Sequence, residues 1–198
     1  MNAELLEAAR SLVLVIDLQG RLMEMIHRPR LVVEGTIRLM RLAEIFSVPV
    51  VLTEQYPPGL GPTHPQVRAV FDELTTTKRY MAKEAFGCCG DPLFEPLLAE
   101  ALPGVPPERR QVVIAGIETH VCVVQTVIEL LRANNSVYLC WECVSGRGEE
   151  YRRHAFDRMQ QAGAVLTNHE SVGFEWARSK AHPQFKALNN LLKGGQLT

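Results

Sequence analysis

Three residues of different chemistry each fall at or just past the end of a strand-like run in this chain, two of the runs apolar and the third more polar. Asp17 comes directly after LVLVI, Lys83 ends TKRYMAK, and Cys122 lies six residues past Gly116, where the run QVVIAG gives way to ETHVCVVQTVIELL. Together they would supply a nucleophile, a proton carrier and a fixed positive charge, the groups needed for covalent attack on a carbonyl. Cys122 stands in the turn that opens the helical run VVQTVIELL, where backbone N–H groups point outward and the helix dipole favours thiolate. With a lysine beside it, its pKa is expected to fall towards neutrality. The N–H groups of Glu118 and Cys122 would form an oxyanion hole if GIETH folds back sharply. Asp17 can take the thiol proton and return it to a leaving group, and Lys83 can pair with both. Taken singly, each has a plainer reading: a packed cysteine, an aspartate capping a loop, a solvated lysine. Their arrival in one place is what makes them a site.

The flanking residues supply candidates for substrate contact: Gln19 just after Asp17, Gln55 and Tyr56 (with Glu54) at the end of the second strand, Phe86 after Lys83, and Thr119 before Cys122. The histidines show no spacing that gathers metal ligands, and no metal or other cofactor is expected. Neither G-x-G-x-x-G nor G-x-x-x-x-G-K-[ST] occurs, which removes the usual sequence reasons to propose a dinucleotide or a nucleoside triphosphate. Cys88, Cys89, Cys122, Cys140 and Cys143 make an odd count without an export signal, so reduced thiols and a cytoplasmic location are expected. Cys140 and Cys143 match C-x-x-C, but they fall in the strand-like VYLCWECV, where positions three apart should face opposite ways. They are read as packed small groups.

The elements that must position these residues alternate in type. SLVLVIDLQ, VPVVLTE, TKRYMAK, QVVIAGI, SVYLCWEC and AVLTN read as six strands. Helices are expected around Arg30 to Phe46, Pro92 to Ala101, Val121 to Ala133, in EEYRRHAFDRMQQAG and in HPQFKALNNLLKG. The prolines and glycines of EQYPPGLGPTHP exclude regular structure there. Strands alternating with helices imply an α/β fold, a three-layer α/β/α sandwich around a six-stranded parallel sheet of order 3-2-1-4-5-6, with residues 1–198 as one domain. In such a sheet ligands bind beyond the carboxyl ends of the strands, at the switch point between strands 1 and 4. Asp17, Lys83 and Cys122 all map there.

Composition narrows the partners. The 198 residues carry a formal charge of −1 with both signs scattered, which leaves no electrostatic footprint for nucleic acid or an anionic membrane. The run from Leu12 to Leu18 is too short to span a bilayer. A small-molecule substrate is the expected partner. The apolar and aromatic content of VGFEW and HPQFKALNNLL, beyond what six strands must bury, points to a homo-oligomer, a dimer or larger.

Three motifs in order, VIDLQ, the lysine of K-E-A-F, and A-G-I-E-T-H-V-C-V, resemble the signatures of the isochorismatase-like cysteine hydrolases, which include nicotinamidases and carbamoyl-amide hydrolases. VPVVLTEQYPPGLGPT and HPQFK are similar to the isochorismatase-domain-containing subfamily, so the likeness spans nearly the whole chain. The resemblance implies an Asp17-Lys83-Cys122 triad, a cis peptide at Ile117-Glu118, oligomerisation, and an oxyanion hole from the N–H groups of Glu118 and Cys122. Members that cleave the vinyl ether of isochorismate lack the nucleophilic cysteine that this chain retains. The likeness therefore implies cleavage of an amide, imide or carbamoyl C–N bond through a thioester. The alternatives are isochorismate-type hydrolysis and an idle binding protein on the same fold. The nicotinamidases hold a metal with an aspartate and histidines after strand 2, where this chain reads TEQYPPGLGP, so no metal is implied.

Overall fold

The computed structural model describes residues 4–194. After a single 3-10 turn at Ala8–Arg10, β1 (Ser11–Ile16) leads into a short α1 (Gly20–Met25) and the long α2 (Pro29–Ile45). Then come β2 (Val50–Gln55), α3 (Pro57–Leu60), α4 (Pro65–Glu73) and β3 (Lys78–Lys83). The second half holds α5 (Phe94–Ala101), β4 (Gln111–Gly116), α6 (Val124–Arg132), β5 (Ser136–Val144), α7 (Glu149–Gln161), β6 (Val165–Thr167), α8 (His169–Ala177) and α9 (Phe185–Leu192). The six strands form one sheet in the order β3-β2-β1-β4-β5-β6, and each neighbouring pair is parallel, as the alternation of elements predicts.

The two faces of β1 show why both sides of the sheet are covered. Val13 and Val15 join one apolar cluster with Val32, Leu39 and Leu42 of α2, while Leu12, Leu14 and Ile16 join another with Phe94 and Leu98 of α5, Val127 of α6 and Phe156 of α7. Side chains of such a strand enter two apolar layers in alternation, which is why Leu12 to Ile16 reads as a continuous apolar run. The register ends β1 level with β4 and β2 level with β3, the second pair running two residues further. Ile16 pairs with Thr53 of β2 and Gly116 of β4, and Gln55 pairs with Lys83 of β3. The residue after Ile16, the end of β3 and the turn after β4 therefore meet along one rim.

Several elements differ from the sequence reading. Pro57–Leu60 is a helical turn inside the stretch expected to lack regular structure, because a proline at the first helical position sacrifices no hydrogen bond. The same start, Pro65, opens α4, whose Val67 and Phe71 bury one face. Helix α8 was not read at all, although Asn168 caps it by accepting from Ser171 N at 2.9 Å. That helix answers the surplus of apolar residues near the C-terminus. Val172, Trp176 and Leu188 are buried, and Phe185, Leu191 and Leu192 pack against the same core, so most of the surplus is internal. Phe174 remains exposed.

Strand β5 corrects the reading of the C-x-x-C pair. Its pairing with β4 slips between Ile114 and Gly116, which face Leu139 and Val144. Three extra residues on β5 break the alternation, so Cys140 and Cys143 enter the same cluster, both fully buried. Among the described residues, no helix is long and apolar enough to cross a membrane.

Candidate active site

Asp17 is the first residue past β1 and adopts a left-handed conformation, φ 52°, which turns its side chain back over the strand ends. Asp tolerates this region better than most residues because its short polar side chain bonds locally. Its N–H donates to Thr53 O at 3.2 Å and its carbonyl accepts from Gln19 N at 2.8 Å. The carboxylate, 1% exposed, accepts Thr53 Oγ1 on Oδ1 and Lys83 Nζ on Oδ2, both at 2.7 Å. Lys83 is equally buried and donates further to Gln55 Oε1 (2.9 Å), Phe86 O (3.0 Å) and Ala85 O (3.2 Å). Three ammonium protons against four acceptors leave none free. What Lys83 offers its surroundings is charge in a fixed place.

Cys122 is 7% exposed, and its thiol feels the Asp17 carboxylate and the Lys83 ammonium. Burial pushes the thiol up to about 12, the Asp17 carboxylate adds to this, and Lys83 acts in the opposite direction. The expectation of a thiol near neutrality is thus reversed, because desolvation and a neighbouring carboxylate outweigh one lysine. The resting group is a thiol, with a carboxylate base beside it. Behind it, Cys122 O accepts Thr126 Oγ1 at 2.8 Å, and Thr126 Oγ1 accepts from Cys88 N at 3.0 Å.

The turn that carries the thiol depends on Gly116. With φ +142°, an added Cβ would stand 2.3 Å from Ile16 O and 2.6 Å from Ile16 Cβ, so only glycine lets β4 close on β1 at this point. Ile117 N then donates to Ile16 O at 3.0 Å, and the Ile117-Glu118 peptide bond is cis. Residues Thr119–Val123 form a π-helical turn rather than the first turn of an α-helix that begins only at Val124. Thr119 N donates to Ser145 O, and Val121 N and Val123 N donate to Glu118 O. The Glu118 N–H meets no acceptor among the described residues.

The other candidates separate into two groups. Gln19 and Gln55 are occupied within the protein. Gln19 Oε1 accepts Gln55 N, and its Nε2 donates to Gln55 O and Gly61 O. Gln55 Oε1 takes Lys83 and its Nε2 donates to Glu84 O. Glu54 likewise faces inward, accepting Thr63 N and Oγ1 and Tyr80 O–H. Tyr56 and Phe86 are more than half exposed, whereas Thr119 is buried with a hydroxyl lacking a partner. A cavity of ≈ 570 Å³ lined by Tyr56, Pro57, Pro58, Ala85 and Pro92 reaches Lys83 but not Cys122. A larger one, ≈ 750 Å³, lies between Met23, Val33, Ile37 and His64 and touches none of Asp17, Lys83 and Cys122. The chemistry, not the volume, locates the site.

Thr53 and Arg147 were not singled out by the sequence. The first could have been found from its place beside Ile16, because a strand neighbour at the last paired position faces the next residue. Arg147, which bonds both carboxylate oxygens of Glu118, has no sequence signal. All five cysteines are free, and Cys89 alone is exposed. Among the described residues no group of three or more histidine, cysteine or acidic side chains could hold a metal.

A family model, the isochorismatase domain, matches residues 11–171. Isochorismatase domain-containing protein 2 of Rattus norvegicus is 33% identical over 183 residues, 92% of this chain and 81% of the relative. Isochorismatase domain-containing protein 1 of Danio rerio is 35% identical over 193 residues, 95% of this chain but only 62% of that longer protein. A solved structure described as MAR1 ribonuclease from Caenorhabditis elegans superposes with a TM-score of 0.87 at 31% identity, covering 98% of this chain and 95% of the other. By the family model and these relatives, the chain belongs to the isochorismatase domain family.

Proposed function

We propose that this protein is a cysteine-dependent hydrolase that cleaves an amide, imide or carbamoyl C–N bond of a small molecule. The observation that carries the reading is the buried Lys83–Asp17 ion pair, close enough to the buried Cys122 thiol for both charges to act on it. As the sulfur attacks the carbonyl carbon, Asp17 takes the thiol proton, and the C=O electrons move onto oxygen, which the N–H groups of Glu118 and Cys122 receive. The oxyanion collapses, the C–N bond breaks, and Asp17 gives its proton to the departing nitrogen. Water then loses a proton to Asp17 as it attacks the thioester, and sulfur leaves to regain that proton. A thiol held up to about 12 suits this order, because it forms thiolate only as Asp17 accepts the proton in the attack itself.

The ribonuclease description attached to the Caenorhabditis elegans structure finds little support here, since a formal charge of −1 gives a polyanion no attraction. The test is acylation with p-nitrophenyl acetate followed by mass spectrometry, with ammonia release from a panel of primary amides and ureido compounds. One acetyl group on Cys122 and loss of all turnover in Cys122→Ala support the thioester route. Amide hydrolysis that survives Cys122→Ala overturns it, and pyruvate release from isochorismate by that variant would put vinyl ether hydrolysis in its place.

A further inference from the structure

The segment after β5 grips the turn carrying Cys122 through a side chain that no step above uses. The Glu118 side chain is 6% exposed, and both its oxygens are held by one guanidinium, Arg147 Nε to Oε1 at 2.8 Å and Nη2 to Oε2 at 2.7 Å. Such a fork fixes orientation as well as charge. The backbone of the same segment is stitched to the same turn: Ser145 N donates to Gly116 O at 3.3 Å, and Thr119 N donates to Ser145 O at 2.8 Å. The segment is in turn pinned to the connection between α1 and α2, where Ser145 Oγ donates to His27 O at 2.6 Å and His27 N to Gly146 O at 2.8 Å.

Residue 118 is therefore tied at its carboxylate and at its carbonyl, which accepts Val121 N and Val123 N, while its own N–H stays open. We infer that Arg147 is a positioning residue that acts through Glu118, aiming the Glu118 N–H at the developing oxyanion and cancelling a buried negative charge next to it. The inference rests on the thiol-hydrolase reading above. Two physical effects make the arrangement matter. A hydrogen bond weakens steeply once its angle departs from linear, so a loosened residue 118 donates poorly. An uncompensated carboxylate beside the turn would also oppose negative charge forming on the substrate oxygen. Because Arg147 is half exposed, its guanidinium is held by Glu118 rather than by packing.

Arg147→Met, Arg147→Lys and Glu118→Gln test this, each checked for a wild-type circular dichroism spectrum. The probes are p-nitrophenyl acetate for turnover and butyraldehyde as inhibitor, whose hemithioacetal with Cys122 places an oxygen where the oxyanion would form. Complete loss of a well-placed oxyanion donor costs about 100- to 1,000-fold in kcat, so a misaimed one should cost about 10- to 100-fold in Arg147→Met. KM should stay within about threefold, because ground-state binding does not use this donor. Butyraldehyde affinity should fall with kcat, and the pH profile of Cys122 alkylation should not move. Arg147→Lys keeps the charge without the fork and should lie between. Wild-type kcat and aldehyde affinity in Arg147→Met, or in Glu118→Gln and Arg147→Lys if that variant does not fold, overturns the inference. So does a loss in which the alkylation profile and KM shift as much as kcat, which would mark a general distortion. Turnover surviving Cys122→Ala would instead remove the hydrolase reading, independently of Arg147.

Discussion

Replacing Lys83 by Met keeps the side chain's length and apolar stem while deleting one buried charge. The ammonium lies 2.7 Å from Asp17 Oδ2, and both side chains are essentially inaccessible. At that distance the attraction is about 6 kcal/mol with an effective dielectric of about 20. Desolvation offsets most of it while both partners are present, but removing one leaves the other charge buried and uncompensated, which typically costs about 3–5 kcal/mol. For a chain of this size that corresponds to a fall in Tm of about 6–20 °C, a large share of a total stability of about 5–15 kcal/mol. The decisive comparison is a double-variant cycle followed by thermal and urea unfolding. Asp17→Asn removes the charge that Lys83→Met strands, so the double variant should be more stable than Lys83→Met alone, although it carries one more substitution. A Tm for Lys83→Met within about 2 °C of wild type, or a double variant no more stable than the single, would refute the idea that the pair is a buried, mutually dependent unit.

Gly116→Ala should cost about 3 kcal/mol or more, from a Cβ driven into Ile16 and a φ of +142°, read as a lower urea midpoint with turnover lost; an unchanged midpoint would contradict the close approach of β4 to β1. Burial pushes the Glu54 carboxyl up, but the bonds from Thr63 and Tyr80 outweigh it and hold the group below its usual range. A depressed folded value gives stability that is present above the unfolded value of about 4.3 and lost as pH falls through the folded one, so the gap between wild type and Glu54→Gln should narrow below about pH 4. A gap that stays constant from neutral pH to about pH 3 counts against this clamp. In a Cys89→Ser background, which removes the exposed thiol, alkylation of Cys122 should keep rising past about pH 9, with Asp17→Asn moving the rise to lower pH. A plateau near neutrality with Asp17 and Lys83 intact would show the thiol to be already ionised. Sedimentation at micromolar concentration should show a species larger than the 22.2 kDa chain, with a 22.2 kDa species alone removing the expectation of a homo-oligomer.

How much was legible from the residues divides along the range of the interactions. The strands were readable because a strand buried on both faces is apolar along most of its length, and β1, β2 and β4 are buried throughout with their polar residues confined to one end. The expected order 3-2-1-4-5-6 is the one observed, and it brings Asp17, Lys83 and the turn after Gly116 to one rim. Helix α8 and the turn at Pro57–Leu60 went unread because local cues, one cap and one proline, compete with loop-like composition until packing decides.

What the sequence by itself determined is the identity of the reactive groups and the sheet end where they gather, since both depend on residue type and on the period of side-chain burial. Only the tertiary structure decided their electrical state and their partners. Cys122 reads as an activated thiol from its neighbours in the chain, yet burial and the Asp17 carboxylate hold it up to about 12. Gln19 and Gln55 read as substrate contacts, yet loops distant in sequence claim their amides. Cys140 and Cys143 read as facing apart, yet three extra residues in β5 turn them together. In each case the deciding quantity is solvent exclusion or a contact between segments far apart in the chain, and neither is written into the local pattern of residues.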